Sequence, residues 1–265
     1  MSSLLITRLR QGYHTMRYPA GPAPQLPERF TGRPAIRPGA CGPDCHACAD
    51  VCPTGAITRA GPTAQIDLGR CIFCARCRDA CPARAIAFTA DHRLAARRRG
   101  ELLTDNGVLP KWADGGRDAI KKLFGRSLKL RQVCAGGCNA CEADTNVLNT
   151  LAWDLGRFGI QFVAAPRHAD GLLITGPVTK NMELALRKTY DAVPAPKIVI
   201  AVGACAIAGG PYAGHPEVCN GADGRLPVDL YIPGCPPHPL TILDGLLRLL
   251  GRLPAARRGV WRTAG

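Results

Sequence analysis

Two cysteine-rich stretches near the start of the chain repeat one another and narrow the choice of fold. The second stretch, "CIFCARCRDACPARAI" over residues 71–86, has the spacing C-x2-C-x2-C-x3-C-P. The first stretch, "CGPDCHACADVCPTGAI" over residues 41–57, has the same four cysteines with one additional residue between the first two. Both stretches end in Cys-Pro-x-x-Ala-Ile. Two copies of one unit predict a small domain with pseudo-twofold symmetry.

The cysteine spacing predicts the cofactor of this domain. C-x2-C-x2-C-x3-C-P is the spacing of bacterial two-cluster ferredoxins, in which the fourth cysteine of each motif binds the other [4Fe–4S] cluster. The predicted ligands are Cys41, Cys45, Cys48 and Cys81 for the first cluster, and Cys71, Cys74, Cys77 and Cys52 for the second. A zinc module is the alternative, but zinc ribbons separate two C-x2-C pairs by roughly a dozen or more residues. His46 lies inside the first motif and is not needed as a ligand.

The 14 cysteines in 265 residues suit either a secreted disulfide protein or a metalloprotein. The first residues, "MSSLLITRLRQGYHTMRYP", contain neither an apolar core of signal-peptide length nor a twin-arginine pair. We therefore expect a cytoplasmic chain whose thiols stay reduced and bind metal. No run approaches the roughly 18 apolar residues of a membrane-spanning helix. Membrane contact is thus expected to be peripheral or made through partners.

The formal net charge is +14, and residues 1–129 hold most of it, with 21 Lys and Arg against 10 acidic residues. Such basicity is compatible with nucleic-acid binding, but also with acidic partner subunits or an anionic membrane surface. No aromatic residues are interleaved with the basic run of Arg97, Arg98 and Arg99. We expect a solvated surface there and no nucleic-acid partner.

Four segments are predicted along the chain. Residues 1–38 are rich in Pro and Gly and are expected to form an extended docking arm, 39–90 the two-cluster domain, 91–130 a basic connector, and 131–265 a second domain. In that second domain, short apolar runs alternate with helical segments, which predicts a doubly wound, flavodoxin-like parallel sheet. The predicted strands are 128–133, 159–165, 171–175, 197–202 and 229–232, and the predicted helices are near 143–157, 180–192 and 239–251.

A third [4Fe–4S] site is predicted in the second domain, because ligands gather beyond the carboxyl ends of the strands in such a sheet. Four cysteines follow predicted strands: Cys138, Cys141, Cys205 and Cys235. The neighbouring glycines would let a bulky cluster approach the backbone closely. Cys134 is left outside this set as a cysteine packed in the core, and Cys219 as a spare cysteine in a Gly/Pro-rich loop.

The stretches "GGCNACE", "FGIQFVAAPRHADGLLITGPVTKNMELALRKTYDAVPAPKIVIAVGACAIAGG" and "IPGCPP" resemble the small subunit of membrane-bound, formate-hydrogenlyase-type (group 4) nickel-iron hydrogenases. The resemblance extends over nearly all of 131–255. The 20 kDa subunit of complex I belongs to the same family, but it has an adjacent Cys-Cys pair, whereas two residues separate Cys138 from Cys141 here. Residues 1–90, with "RYP", "LPERFTGRP" and "CPTGAI", resemble the two-cluster ferredoxin subunit of the same complexes.

The resemblance implies a fusion of two neighbouring subunits. It implies a chain with three [4Fe–4S] clusters and no active site of its own, which relays electrons to or from a hydrogenase-type large subunit. The alternative is the equivalent position in a complex I-related quinone or ion-translocating oxidoreductase without hydrogenase activity. The implied location is the cytoplasmic face of the inner membrane, reached through partner subunits. Glu142 matches the acid that follows the cysteine pair and could assist proton movement, or could instead stabilise a helix N-terminus through the dipole.

Overall fold

A computed structural model describes residues 2–37, 39–42, 44–60, 63–104 and 118–253 of the chain. The N-terminal half is built of short elements around two small antiparallel sheets, one with strand order β1-β4 and one with order β2-β3-β5. The elements are α1 (Ser2–Gln11), β1 (Pro34–Ile36), α2 (Ala47–Asp50), β2 (Ile57–Ala60), β3 (Thr63–Asp67), α3 (Arg76–Asp79), β4 (Ile86–Phe88), a 3-10 helix (Arg99–Leu102) and β5 (Leu103–Thr104).

The C-terminal half is a five-stranded sheet in the order β10-β9-β8-β6-β7, and all of its pairs are parallel. Its elements are α4 (Asp118–Phe124), β6 (Leu128–Cys134), α5 (Ala140–Val147), β7 (Ile160–Phe162), β8 (Gly171–Thr175), α6 (Lys180–Ala192), β9 (Ile198–Val202), α7 (Ala204–Ala208), β10 (Leu230–Ile232) and α8 (Pro239–Leu249). Three 3-10 helices accompany them: Leu155–Phe158, Pro166–His168 and Gly210–Tyr212. This is the strand order of flavodoxin-like folds, so the fold class predicted from the sequence is confirmed.

The two faces of this sheet are covered by different helices. In β9, Ile198 and Ile200 point into one core cluster, in which the leucines of α8 lie. Val199 points to the opposite face, where Leu186 of α6 packs. Because side chains alternate along a strand, a strand buried on both faces is apolar at every position, as the sequence "IVIAV" of β9 is.

The two halves share a core. Leu94 and Leu102 of the N-terminal half pack in one apolar cluster with Ala201 and Tyr231 of the sheet. Ala96 and Tyr231 exchange two backbone hydrogen bonds, of 3.0 and 2.8 Å. Continuous packing and paired backbone groups fix the N-terminal half on the sheet face formed by β9 and β10.

Two segments differ from what their composition suggested. The arm of residues 1–38 is not extended throughout, because α1 covers Ser2–Gln11 and β1 pairs with β4. The basic connector is folded at its start, because β5 pairs with β3, while residues 105–117 lie outside the described part. The physical reason in the second case is that buried apolar residues are interspersed among the arginines. The predicted domain limits therefore stay predictions.

Among the described residues, no helix is long and apolar enough to cross a membrane.

Candidate metal centres

The first predicted set of cysteines lines a single cavity of about 360 Å³. Cys48 is carried by α2, and Cys81 comes from the second motif, as crossed ligation requires. Arg59 holds the loop between the first cysteines, because its guanidinium donates hydrogen bonds to the carbonyls of Gly42 (3.0 Å) and Cys45 (2.7 Å). Four thiols around a cavity of this volume fit the ligand requirements of a [4Fe–4S] cluster. The full lining set of cysteines is Cys41, Cys45, Cys48 and Cys81.

The second predicted set also lines one cavity, which is narrower, with about 20 Å³ of free space. Cys71 and Cys77 are buried, whereas Cys74 is exposed at the mouth. The Phe73 N–H donates to the Cys71 sulfur at 3.3 Å. The donor set fits a cluster, and the cysteine side chains would move apart to admit it. The cysteines that line this cavity are Cys52, Cys71, Cys74 and Cys77.

Two backbone N–H groups at equivalent positions of the repeat point at the crossing cysteines. Ala56 donates to the Cys52 sulfur at 3.2 Å, and Ala85 donates to the Cys81 sulfur at 3.3 Å. Hydrogen bonds to cluster sulfurs stabilise negative charge and tune reduction potentials. The recurrence of Ala-Ile after both Cys-Pro pairs was a signal in the sequence, but the roles of these amides were not predicted from it.

The third predicted set is assembled from three strand ends of the C-terminal sheet. Cys138 follows β6, and Cys141 lies in the first turn of α5. Cys205 lies in α7 after β9, and Cys235 follows β10. A Cβ atom added at Gly203 would lie 2.6 Å from the Cys141 sulfur and 3.6 Å from the Gly234 carbonyl oxygen, so Cys141 lies beside the chain segments that carry Cys205 and Cys235. They meet at the carboxyl edge of the sheet, where α/β folds bind their ligands.

Two glycines leave room for the sulfurs of this set. Gly203 has a φ of +92°, and a Cβ atom there would lie 2.6 Å from the Cys141 sulfur. A Cβ at Gly210, whose φ is +55°, would lie 2.7 Å from the Cys205 sulfur. Side chains at either position would displace a thiol, so both glycines belong to the structure of the site.

Burial disfavours the thiolate form of several of the predicted ligands. Burial, followed by the charge of nearby cysteines, raises the pKa of Cys205 to about 12 and raises that of Cys141 as well. Burial raises the pKa of Cys71 to about 12 and that of Cys77 to about 11, and neighbouring cysteines add to both shifts. Several thiolates can share such a site only when a metal centre supplies positive charge. The donor chemistry therefore fits iron–sulfur clusters.

The three sets lie one after the other. Cys48 of the first set lies in one apolar cluster with Cys71 and Cys77 of the second. Ile72 and Phe73, next to Cys74 of the second set, line one cavity with Cys235 of the third. The second set therefore lies between the other two.

Comparison with known proteins gives one family match in each half of the chain. Residues 40–85 match the family model described as "4Fe-4S dicluster domain", and residues 138–249 match the model "NADH ubiquinone oxidoreductase, 20 Kd subunit". The chain is 41% identical over 138 residues to "Probable membrane-bound hydrogenase subunit mbhJ" of Pyrococcus furiosus, which covers 52% of this chain and 83% of that protein. It belongs to the NADH ubiquinone oxidoreductase 20 kDa subunit family.

Two further similarities each cover about half of the chain. It is 42% identical over 135 residues to "Formate hydrogenlyase subunit 7" of Escherichia coli, a match that spans 51% of this chain and 53% of that protein. In the solved "membrane-bound sulfane sulfur reductase (MBS), an archaeal respiratory membrane complex", one chain is 34% identical with a TM-score of 0.44. That match covers 52% of this chain and 77% of the other. The family model and the two sequence relatives identify the chain as an oxidoreductase subunit.

The two remaining cysteines lie in environments opposite to those expected. Cys134, predicted to pack in the core, is exposed, and it accepts a hydrogen bond from the Gly137 N–H at 3.3 Å. Cys219, predicted to be a loop cysteine, is buried, and its thiol donates to Glu183 at 3.5 Å. The reason for the second difference is that the Gly/Pro-rich excursion folds back onto the end of β8, where the Cys219 N–H donates to the Val178 carbonyl.

Glu142 lies in the first turn of α5 and is 7% exposed. Its carboxylate accepts a hydrogen bond from the Thr175 hydroxyl at the end of β8. The interaction joins α5, which follows β6, to the end of β8, at the switch point of the sheet. Both the proton-transfer role and the helix-dipole role of Glu142 stay predictions.

In the part of the chain that the structure describes, no group of three or more His, Cys, Asp or Glu residues could hold a metal ion. A [4Fe–4S] cluster provides a separate iron for each thiolate, so its four ligands need only surround a common cavity. The first and second cysteine sets satisfy that condition, since each lines a single cavity.

Proposed function

We propose that this chain is an electron-transfer subunit that carries three [4Fe–4S] clusters in a membrane-associated, hydrogenase-type complex. The proposed ligands are the three cysteine sets, and the proposed domain limits are those given above. The chain relays electrons to or from the active site of a separate large subunit, and it has no active site of its own. Its place is the cytoplasmic face of the membrane, where partner subunits hold it.

The serial order of the cysteine sets supports this function most directly. Cys74 and Cys235 come from different halves of the chain, yet Ile72 and Phe73, next to Cys74, line one cavity with Cys235. A storage protein or a zinc-stabilised scaffold needs no such sequence of sites. A relay does, because electrons must pass between neighbouring centres.

The exposed cysteines indicate where a large subunit would dock. Cys138 and Cys235 are exposed at the carboxyl edge of the sheet, whereas Cys205 is partly buried. A partner placed on this edge would cover the third set and exclude water from it. The relatives named "membrane-bound hydrogenase subunit" and "Formate hydrogenlyase subunit 7" support a hydrogenase-type partner.

When bound, a [4Fe–4S] cluster supplies one-electron transfer at a potential that its protein surroundings adjust. The residues of this chain bind and orient the clusters and limit their contact with water. Backbone amides such as those of Ala56 and Ala85 donate to ligand sulfurs, and Gly203 lets a sulfur lie against the backbone.

The second candidate function is the same relay position in a complex I-related quinone or ion-translocating enzyme that makes no hydrogen. The description of the matching family, "NADH ubiquinone oxidoreductase, 20 Kd subunit", favours it. The separation of Cys138 from Cys141 by two residues favours the hydrogenase branch instead. The two functions differ in the partner, because only a hydrogenase-type large subunit binds nickel.

The test is to purify the chain and its complex anaerobically. We expect about 12 iron and 12 acid-labile sulfide per chain. The isolated chain should be reduced by a low-potential donor without evolving hydrogen, and the complex should contain nickel in its large subunit. About 8 iron per chain would overturn the third cluster. A nickel-free complex with full iron content would overturn the hydrogenase assignment and favour the quinone-type alternative.

A further inference from the structure

Helix α1 (Ser2–Gln11) presents an unusual density of exposed apolar side chains. Leu9 is 81% exposed, Leu4 74%, Leu5 68% and Ile6 49%. Single exposed leucines are ordinary on a protein surface, but a group of them on one short helix marks an interaction site. The described part of the chain leaves this group uncovered.

The charges are ordered around the apolar residues. With 100° per residue, Leu5, Ile6 and Leu9 fall on one arc of the helix, and Arg8 and Arg10 fall on its two sides. The opposite side carries Thr7, whose hydroxyl donates to the Ser3 carbonyl at 2.8 Å, together with Gln11 and the exposed Leu4. An apolar arc bordered by arginines on both sides is the pattern of helices that lie in a membrane surface.

The helix is held at a defined place on the molecule. After Gly12, which has a φ of +64°, the chain is fixed to the C-terminal half. The Thr15 hydroxyl donates to the Leu151 carbonyl at 3.1 Å, and the guanidinium of Arg157 donates to the carbonyls of Met16 and Tyr18, both at 2.7 Å. Leu151, at this attachment, is itself 69% exposed. The attachment therefore adds an exposed leucine to those of α1.

We propose that α1 binds the surface of an anionic lipid bilayer, with Leu5, Ile6 and Leu9 inserted at the level of the acyl chains and Arg8 and Arg10 at the phosphates. Charge complementarity identifies the occupant. Residues 1–27 contain no Asp or Glu, so their three arginines, Arg8, Arg10 and Arg17, would face lipid phosphate without a competing acid. Arginine can keep its aliphatic stem in the apolar layer while its head remains at the phosphates. The inference rests on the proposed membrane-associated function and gives this chain a direct lipid contact of its own.

The experiment measures sedimentation of the full, cluster-loaded chain with vesicles of mixed phosphatidylglycerol and phosphatidylcholine, and with vesicles of phosphatidylcholine alone. We expect binding to the anionic vesicles. The L5S/L9S variant should lower the partition coefficient at least about tenfold, because it removes the apolar anchor. The R8Q/R10Q variant should lower it by about tenfold or more on anionic vesicles, with little change on neutral ones.

The matched control is L184S, which replaces a leucine of α6 that is 61% exposed and lies far along the chain from α1. It should bind as the unchanged protein does. Failure of the unchanged chain to bind anionic vesicles, or equal binding by L5S/L9S, overturns the proposal. Release of L5S/L9S from the purified complex without vesicle binding by the parent would identify a protein occupant and also overturn it. Iron content, measured in parallel, separates these outcomes from a failure of the proposed relay function.

Discussion

Cys74 of the ferredoxin-type half and Cys235 of the parallel-sheet half lie within electrostatic reach of one another. Burial raises the pKa of Cys235, and the charges of Cys138 and Cys74 raise it further. Cys138 is a member of the same predicted set, but Cys74 belongs to the neighbouring one. The two halves of the chain also meet here, since Ile72 and Phe73, next to Cys74, line one cavity with Cys235.

The core shared by the two halves holds the second and third cysteine sets in place relative to one another. Leu102 and Tyr231 belong to one apolar cluster that joins the halves. Fixed packing keeps the separation of the second and third sets constant, whereas two domains on a flexible linker would let it vary. Fusion of the two halves in one chain is consistent with that requirement.

The first prediction concerns the ligands of the third cluster. C138S, C141S, C205S and C235S should each lower the iron content from about 12 to about 8 per chain, because the loss of one thiolate opens the cluster. The two ferredoxin-type clusters should keep their spectra, since their ligands lie in the other half. Iron analysis and electron paramagnetic resonance of the reduced protein provide the measurement. An unchanged iron content in any of these variants would remove that residue from the ligand set.

The second prediction contrasts the two remaining cysteines. C134S should leave both iron content and the thermal unfolding midpoint unchanged, because Cys134 is exposed. C219S should keep the iron but lower stability by about 1 kcal/mol, because a hydroxyl replaces a thiol in an apolar cluster while the bond to Glu183 can re-form. Thermal unfolding under anaerobic conditions compares them. A loss of about 4 iron from C134S would contradict the proposed ligand set.

The sequence predicted the elements with strong local signals. Strand β8 (Gly171–Thr175) and helix α6 (Lys180–Ala192) have the bounds that were expected. The helix predicted over 143–157 begins earlier and ends at Val147. Helix α7 (Ala204–Ala208) was not predicted, because five small apolar residues between two glycines are too short for a helical period to show.

The candidate sites were predicted for a different reason. Cysteine spacing is local, and the carboxyl edge of a parallel sheet follows from strand and helix alternation, so both could be inferred without coordinates. The environments of Cys134 and Cys219 could not be inferred from the sequence. They depend on where β6 ends and on an excursion that folds back to pair Val218 with Thr179, and such long-range contacts leave no periodic signal.

The third prediction concerns Arg99, which lies at the contact between the two halves of the chain. Arg99 forms two hydrogen bonds with Asp67, at 2.7 and 2.5 Å, and lies 4.0 Å from Asp223 of the other half. R99M leaves the Asp67 carboxylate without its cation, and we expect a loss of about 1 to 3 kcal/mol in stability, measured by thermal unfolding. R78M is the control, because the pair of Arg78 with Asp79 is largely exposed and screened by water, so its loss should change stability little. Equal midpoints for R99M and R78M would show that Arg99 does not stabilise the contact.

The fourth prediction tests the space around the third cluster. G203A places a methyl group where the Cys141 sulfur lies, since the added Cβ would be 2.6 Å from it. The variant should therefore lose about 4 iron and keep the two ferredoxin-type clusters. Backbone strain alone is an alternative cause, because the φ of Gly203 is +92° and a side chain at such an angle costs about 1 to 3 kcal/mol.

G214A separates the two causes. Gly214 has a φ of +83°, but an added Cβ there would have no atom within 4 Å. The two variants thus impose similar backbone strain, and only one of them displaces a cysteine. If contact with Cys141 is decisive, G214A retains about 12 iron while G203A falls to about 8, at comparable losses of thermal stability. Equal iron contents in the two variants would show that the close approach of Gly203 to Cys141 is not required for the third cluster.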